Sequence, residues 1–265
     1  MASHLVQGRR ITTPVEVRDA TACGATYLVR ADAVRAVLAY CDLDVTEVLP
    51  GKALCTLIFA RFADTDLGPF HQFGVAFLVR SPECTRPRSR TLLSGVKELC
   101  TPGTGAFVHW LPVDQSFALE AGRQIWGFPQ EQAQLDLRLA SPYKRCLLRK
   151  DGRLVLDLLL RPGLPLPRLP SPVASTSRPS RVTHLGMPIL GAPTMDAYTH
   201  LDGVTRRTRW TMHPQSVRTR PGGALIRLGN HPIAKELSEL GLPKRALTTT
   251  TVARLTMTFE EPAQL

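Results

Sequence analysis

His109-Trp-Leu-Pro-Val-Asp-Gln-Ser-Phe-Ala-Leu-Glu-Ala-Gly-Arg-Gln-Ile-Trp-Gly-Phe-Pro-Gln-Glu131 reads as a strand, a capped helix and a turn that leads into a second strand. Asp114 fits the N-cap, because its carboxylate can accept from the free N–H groups of a first helical turn. Phe117, Ala121 and Ile125 repeat at i, i+4 and i+8 and give that helix one apolar face. Gly127 and Pro129 end it, one by tolerating unusual torsions and the other by lacking an N–H.

Outward from this block the chain is mostly strand-patterned. Upstream, residues 1–20 carry no firm element, Thr26–Arg30 reads as a short strand, and Asp32 can cap a helix that buries Val34, Val37, Leu38 and Cys41. Lys52–Phe62 and Phe73–Arg80 are β-type runs separated by a loop over 63–70, and Thr104–Val113 is a further strand. Downstream, Gln134–Leu139, Arg145–Arg149 and Leu154–Leu160 follow, the last two joined by a hairpin turn at Lys150-Asp-Gly-Arg153. Arg161–Pro172 has the composition of a linker, yet the leucines between its prolines predict an extended segment packed over a sheet. Thr208–His213 and Gly223–Leu228 are strands. His231–Gly241 is a short helix with Pro232 at N1 and Gly241 past its end. Thr248–Phe259 is a long strand whose alternation predicts one buried face of Ala253, Leu255, Met257 and Phe259. The expected fold is mainly β (α+β), with sequential antiparallel pairing, closed or nearly closed, and a few short peripheral helices.

At 265 residues with 43% hydrophobic content the chain can bury a sizeable core, and 22 prolines with 19 glycines imply many turns. No apolar run is long enough to span a bilayer, and the N-terminus lacks the apolar region of a signal peptide, so a cytoplasmic location and no membrane partner are expected. The six scattered cysteines form no Cys-x-x-Cys pair and have no histidine at ligand spacing, which predicts buried thiols and no metal. The net charge of +11 comes from 27 Arg and six Lys against 22 acidic residues. Its densest stretches, Arg80–Arg90 and Arg206–Arg220, are interrupted by Pro, Ser, Thr or Gly and match no nucleic-acid module. Attraction of small anionic substrates is the more economical use of that charge.

Glu120-Ala-Gly-Arg-Gln-Ile-Trp-Gly-Phe-Pro129 resembles the signature of the acetoacetate decarboxylase family, which continues Gly-Phe-Pro-Lys-Lys. Gly68-Pro-Phe-His-Gln72 is similar to the family's Gly-x-Tyr-x-Glu element. Gly163–Pro167 and the Leu228-Gly-Asn-His-Pro232 block with Leu240-Gly-Leu-Pro243 extend the likeness over most of residues 25–260. The resemblance implies a cone-shaped antiparallel β-barrel with its active site inside, as a single domain over 1–265 with 1–20 as an irregular arm. It also implies a Schiff-base lysine, but Gln130 stands at that position and Glu131 at the second lysine's. The family's cavity glutamate matches Gln72, no carboxylate in Leu54–Ala60 matches its second acid, and only Arg18 is a loose match for its early arginine.

An amide cannot replace the lysine, because its nitrogen lone pair is delocalised and neither attacks a ketone nor titrates. The paired change at 72 and 130 suggests a retained, neutralised pocket, since a buried glutamate without its cation would be costly. The expected enzyme therefore uses non-covalent acid/base chemistry (cyclisation, dehydration, isomerisation or hydrolysis) on a keto, carboxylate or polyketide-like small molecule, without a cofactor. In that reading Gln72 and Gln130 hold a carbonyl or enolate, and His71 or Glu131 moves protons. Arg123, Trp126, Phe128 and His109 are further substrate-binding candidates. For these the alternatives are an ion pair of Arg123 with Glu120, packing for the two aromatics, and a structural His109 pointing to the opposite face from Trp110. A non-catalytic ligand-binding barrel, or a decarboxylase using Lys52 or Lys97, remains open, and a homo-oligomer is expected.

Overall fold

The computed structural model describes residues 2–81, 104–165 and 194–265. Lys97, Cys84, Cys100 and most of the Arg80–Arg90 and Arg161–Pro172 stretches lie outside them. The N-terminal residues are structured, contrary to expectation: β1 (Ser3–Val6) and β2 (Arg9–Thr12) form an antiparallel hairpin before β3 (Val15–Arg30) begins. Val6, Ile11, Val15 and Val17 are buried, and their spacing, split by the turn at Gln7 and Gly8, is too short to show as a periodic pattern.

The remaining elements follow in order: α1 (Ala31–Val37), β4 (Asp44–Val45), β5 (Glu47–Leu49), β6 (Lys52–Thr65), β7 (Phe70–Arg80), β8 (Thr104–Trp110) and α2 (Ser116–Ala121). A π-helical turn over Gly122–Trp126 continues α2. Then come β9 (Gln134–Arg138), β10 (Lys144–Lys150), β11 (Arg153–Leu160), β12 (Leu164–Pro165), β13 (Thr194–Leu201) and β14 (Val204–Pro221). The chain closes with β15 (Ala224–Leu228), α3 (Pro232–Glu239), β16 (Thr248–Phe259) and β17 (Ala263–Gln264). Asp32 sits inside the first turn of α1 rather than at its cap.

The fold is mainly β and closes on itself. The pairings run β7–β8–β13–β14–β16–β3–β6 and return to β7. One junction departs from the antiparallel expectation: β13 lies parallel to β8, through Ala197↔Ala106 and Tyr198↔Phe107. Closure removes the open sheet edges that would otherwise invite aggregation. A second, four-stranded sheet in the order β15–β11–β10–β9 packs against the ring, and its β10–β11 turn has Asp151 and Gly152 at φ 50° and 70°, as a two-residue hairpin loop requires.

Strand register defines the two faces of the ring. Cys23–Phe59–Phe73 and Tyr27–Cys55–Phe77 are cross-strand rows that share a buried cluster with Cys146, Leu148, Leu156 and Leu158 of the second sheet. That sheet lies outside a closed ring, so these rows face outward. The inward rows are Ala22–Ala60–Gln72, Gly24–Ile58–Gly74 and Thr26–Thr56–Ala76, with Thr26 and Thr56 hydroxyls 3.2 Å apart. In β16 the expected phase fails at Ala253, which is exposed. An irregularity between Val252 and Leu255 puts Val252 in the buried set with Leu255, Met257 and Phe259.

Candidate functional site

The opening stretch builds one wall of the site, with a local correction. Gln115, not Asp114, is the N-cap of α2, its side-chain oxygen accepting from Ala118 N. Asp114 turns back to β7, where its two oxygens accept from His71 N and pair with His71 Nδ1, each at 2.7 Å. Beyond the helix, Gly127 adopts φ 63° and a Cβ there would strike the Arg206 guanidinium, so the turn needs glycine twice over. The chain then runs beside 111–113: Leu111 N donates to Pro129 O (3.1 Å), Val113 N to Glu131 O (2.9 Å) and Ala133 N to Val113 O (2.9 Å).

That extended pairing sends Gln130 and Glu131 to different sides. Gln130 is buried, and its amide nitrogen faces Ala118 O at 2.8 Å and Leu119 O at 3.0 Å. The amide fills the space a Cβ on Gly122 would occupy. Glu131 instead accepts from Trp110 Nε1 at 2.9 Å and pairs with Lys150 Nζ at 3.2 Å, on the outward side with the second sheet. Arg123 is exposed and donates to the Gln130 carbonyl at 3.4 Å; it makes no ion pair with Glu120, which bonds Gln124.

Trp126 is buried, donates to Glu260 O at 2.8 Å and stacks on Phe128 with centroids 5.5 Å apart. Phe128 also packs edge-on to Trp210 and Phe259. His109 and Trp110 do not point to opposite faces as strict alternation predicts. A bulge between β7 and β8 sets both against the outward cluster, where His109 bonds Glu236 of α3 and lies 5.5 Å from Phe77, while Trp110 meets Phe73 edge-on. The His109 hydrogen bond holds the Glu236 carboxyl below its usual range.

His71 and Gln72 also part company. Their neighbours across the strand pair are Arg61 and Ala60, so His71 faces outward while Gln72 faces into the ring. Gln72 is half-buried and makes no side-chain hydrogen bond among the described residues. His71 and Asp114 line a cleft of about 500 Å³ with Arg61, Phe62, Ala63, Pro69, Phe70 and Gln115. A neutral His71 that donates from Nδ1 to Asp114 presents the lone pair of Nε2, which has no partner among the described residues. The eight predicted residues thus fall into three places: Gln72 inside the ring, Gln130 beneath α2 with Arg123, Trp126 and Phe128 around the turn, and His71, His109 and Glu131 outside.

Sequence reasoning missed the pairing of Asp114 with His71 and the neighbour Arg61. Asp114 lies 43 positions from His71, and no local pattern links them. Among the described lysines, Lys144 and Lys150 belong to the second sheet, Lys235 and Lys244 lie on or just past α3, and Lys52 is exposed at the start of β6. Lys52 shares the inward phase of Thr56, Ile58 and Ala60 but stands exposed at the strand's start, and no other described lysine belongs to an inward row. Among the described residues, no cluster of three His, Cys, Asp or Glu side chains is arranged to hold a metal. No helix there is long and apolar enough to cross a membrane.

The fold is shared with known proteins. It is similar to the acetoacetate decarboxylase of Legionella pneumophila, with a TM-score of 0.67 and 17% identity over 97% of this chain and 90% of that one. The enduracididine biosynthesis enzyme MppR, solved in complex with pyruvate, matches with a TM-score of 0.64 and 12% identity over 96% and 91% of the two chains. An acetoacetate decarboxylase-like enzyme from Sphingomonas wittichii RW1 matches with a TM-score of 0.57 and 13% identity over 100% and 99%. At these identities the likeness shows the fold alone. A search among curated proteins gives no significant match. The family model for acetoacetate decarboxylase matches residues 5–263, and with the closed ring and the signature wall in place the chain belongs to the acetoacetate decarboxylase family.

Proposed function

We propose that this family member is an enzyme that works without a Schiff base and moves protons on a small keto or carboxylate compound with His71 and Asp114. The observation that carries this reading is the 2.7 Å bond from His71 Nδ1 to Asp114 at the wall of a cleft. That bond fixes the tautomer and leaves Nε2 as the base, and Asp114 then stabilises the imidazolium once a proton arrives. Gln130 supports the same reading by exclusion, since an amide donating to two helix carbonyls offers no nucleophile. Glu131, committed to Trp110 and Lys150, serves the wall rather than the proton.

The chemistry is a proton abstraction next to a carbonyl. His71 Nε2 takes a proton from the carbon beside the carbonyl, and the bonding pair becomes an enolate. Returning the proton to a different carbon is an isomerisation. Expelling a β-hydroxyl, protonated by the imidazolium to water, is a dehydration, and both leave His71 neutral. Gln72, on the inner face, fits hydrogen bonding to a ligand held within the ring rather than to one beside His71.

The test is exchange of keto-acid α-protons with D2O, followed by NMR on a panel that includes acetoacetate, pyruvate and 4-oxopentanoate. Protein-dependent exchange is expected, reduced about 100-fold or more in His71→Asn and Asp114→Asn and unchanged in Lys52→Ala. Exchange that survives His71→Asn contradicts the assignment. Tight binding of a panel member with no exchange and no product supports a ligand-binding barrel instead, the reading favoured by the uncharged side chains at Gln72 and Gln130.

A further inference from the structure

Arg61 stands directly across the β6–β7 pair from His71 and belongs to the same cleft. Directly opposed residues in an antiparallel pair have Cβ atoms about 5 Å apart, so the arginine and imidazole side chains stand side by side on one face of the pair. Arg61 is exposed and makes no hydrogen bond or ion pair among the described residues. Asp114 lies in the same cleft, and its two oxygens are turned to His71, one at the backbone N–H and one at the ring, with no ion pair to Arg61. Arg18, by contrast, is paired with Asp64 and Asp66, at 2.9 and 2.7 Å. Arg61 is therefore a cation beside the base, in the same cleft as Asp114, that makes no ion pair among the described residues. Pro69 borders the cleft, while Phe62 and Phe70, one residue along each strand and stacked at 4.5 Å, turn to the other face of the pair.

We infer that Arg61 is the specificity-determining residue of this cleft and binds the carboxylate of a keto-acid substrate. This rests on the assignment of His71 as the base. A planar guanidinium offers two parallel donors that match a carboxylate, and it carries charge at every working pH. A carboxylate anchored there directs the adjacent carbonyl-bearing carbons of the substrate toward Nε2, with the apolar part of the molecule beside Pro69. The neutral ester of the same acid loses that anchor and gains nothing in return.

The test is a comparison of 4-oxopentanoate with its methyl ester, which differ in charge at one end and share the ketone. Dissociation constants from NMR titration of the intact protein are expected to favour the acid by about tenfold or more. Arg61→Gln removes the preference, Arg61→Lys restores part of it, and neither changes the melting temperature, because the side chain is exposed. A wild-type protein that binds both compounds equally, or an Arg61→Gln variant that keeps the preference for the acid, overturns the inference. Deuterium exchange of the ester separates the two assignments. If exchange of the ester is lost in His71→Asn but the acid is bound no better than the ester, the base stands and the carboxylate anchor falls. If the preference depends on Arg61 while exchange survives His71→Asn, the anchor stands as a binding site and the base falls.

Discussion

Gln130 and Gly122 are packed as a pair: the amide of Gln130 occupies the volume in which any side chain at 122 would begin, and it bonds the carbonyls of Ala118 and Leu119 in the same helix. The position that the family signature reserves for a reactive amine is here a strut between the turn and α2.

A methyl group at 122 should therefore be costly only while the amide is present. Gly122→Ala is expected to destabilise by about 1–3 kcal/mol, the usual range for overpacking. In Gln130→Ala the same change should be nearly neutral. Thermal or urea unfolding of both single variants and the double variant gives the coupling directly. Independent, additive effects would show that the contact is not what holds this turn.

Burial sets the reactivity of the thiols. Desolvation pushes Cys23 and Cys55 up to about 12, and Cys146 is raised by the same cause. Only about one thiolate in 10,000 is then present at pH 8 at Cys23 and Cys55. Iodoacetamide mapping by mass spectrometry should leave Cys23, Cys55 and Cys146 unmodified in the folded protein and label all three in urea. Rapid labelling of Cys55 without denaturant would show that the seam between the ring and the second sheet opens.

Two carboxylates give stability a defined acid limb. Glu236 is lowered by its hydrogen bond to His109, and Asp157 by its hydrogen bonds to Arg145, at 2.7 and 2.6 Å. A depressed carboxylate contributes stability that is complete above its unfolded value and is lost as pH falls through the folded one. The melting temperature should therefore be flat with respect to these groups above about pH 5 and fall below about pH 4. Glu236→Gln should lower it near neutrality and flatten that limb. An unchanged acid limb in Glu236→Gln would remove this pair from the account.

Much of the fold was legible because its signals are local. The strand at Thr248–Phe259 was read with the bounds the structure shows, and the turn at Asp151 and Gly152 and the helix behind Pro232 were placed by backbone chemistry alone. Errors arose where register overrides alternation. Ala253 and the pair His109–Trp110 sit at bulges, which shift the phase by one residue without leaving a mark in the sequence. The parallel pairing of β13 with β8 joins segments far apart in the chain, and only assembly of the ring decides it.

The site was less legible for the same reason. His71 and Gln72 are adjacent in sequence, which suggests a shared cavity, yet adjacency in a strand is what separates them. Asp114 has the chemistry of a cap, and the one-residue shift of the cap to Gln115 freed it to orient His71. Arg61 carries no motif at all. Its place is defined by register across β6 and β7, which exists only once the hairpin forms.

The central claim is that carbonyl chemistry here proceeds without a lysine adduct. Borohydride reduction in the presence of acetoacetate or pyruvate, read by intact mass and peptide mapping of the full chain, tests it most directly. The account predicts an unmodified protein under conditions that convert any iminium to a stable secondary amine. A mass increase that maps to any lysine, Lys97 and Lys52 included, would contradict it.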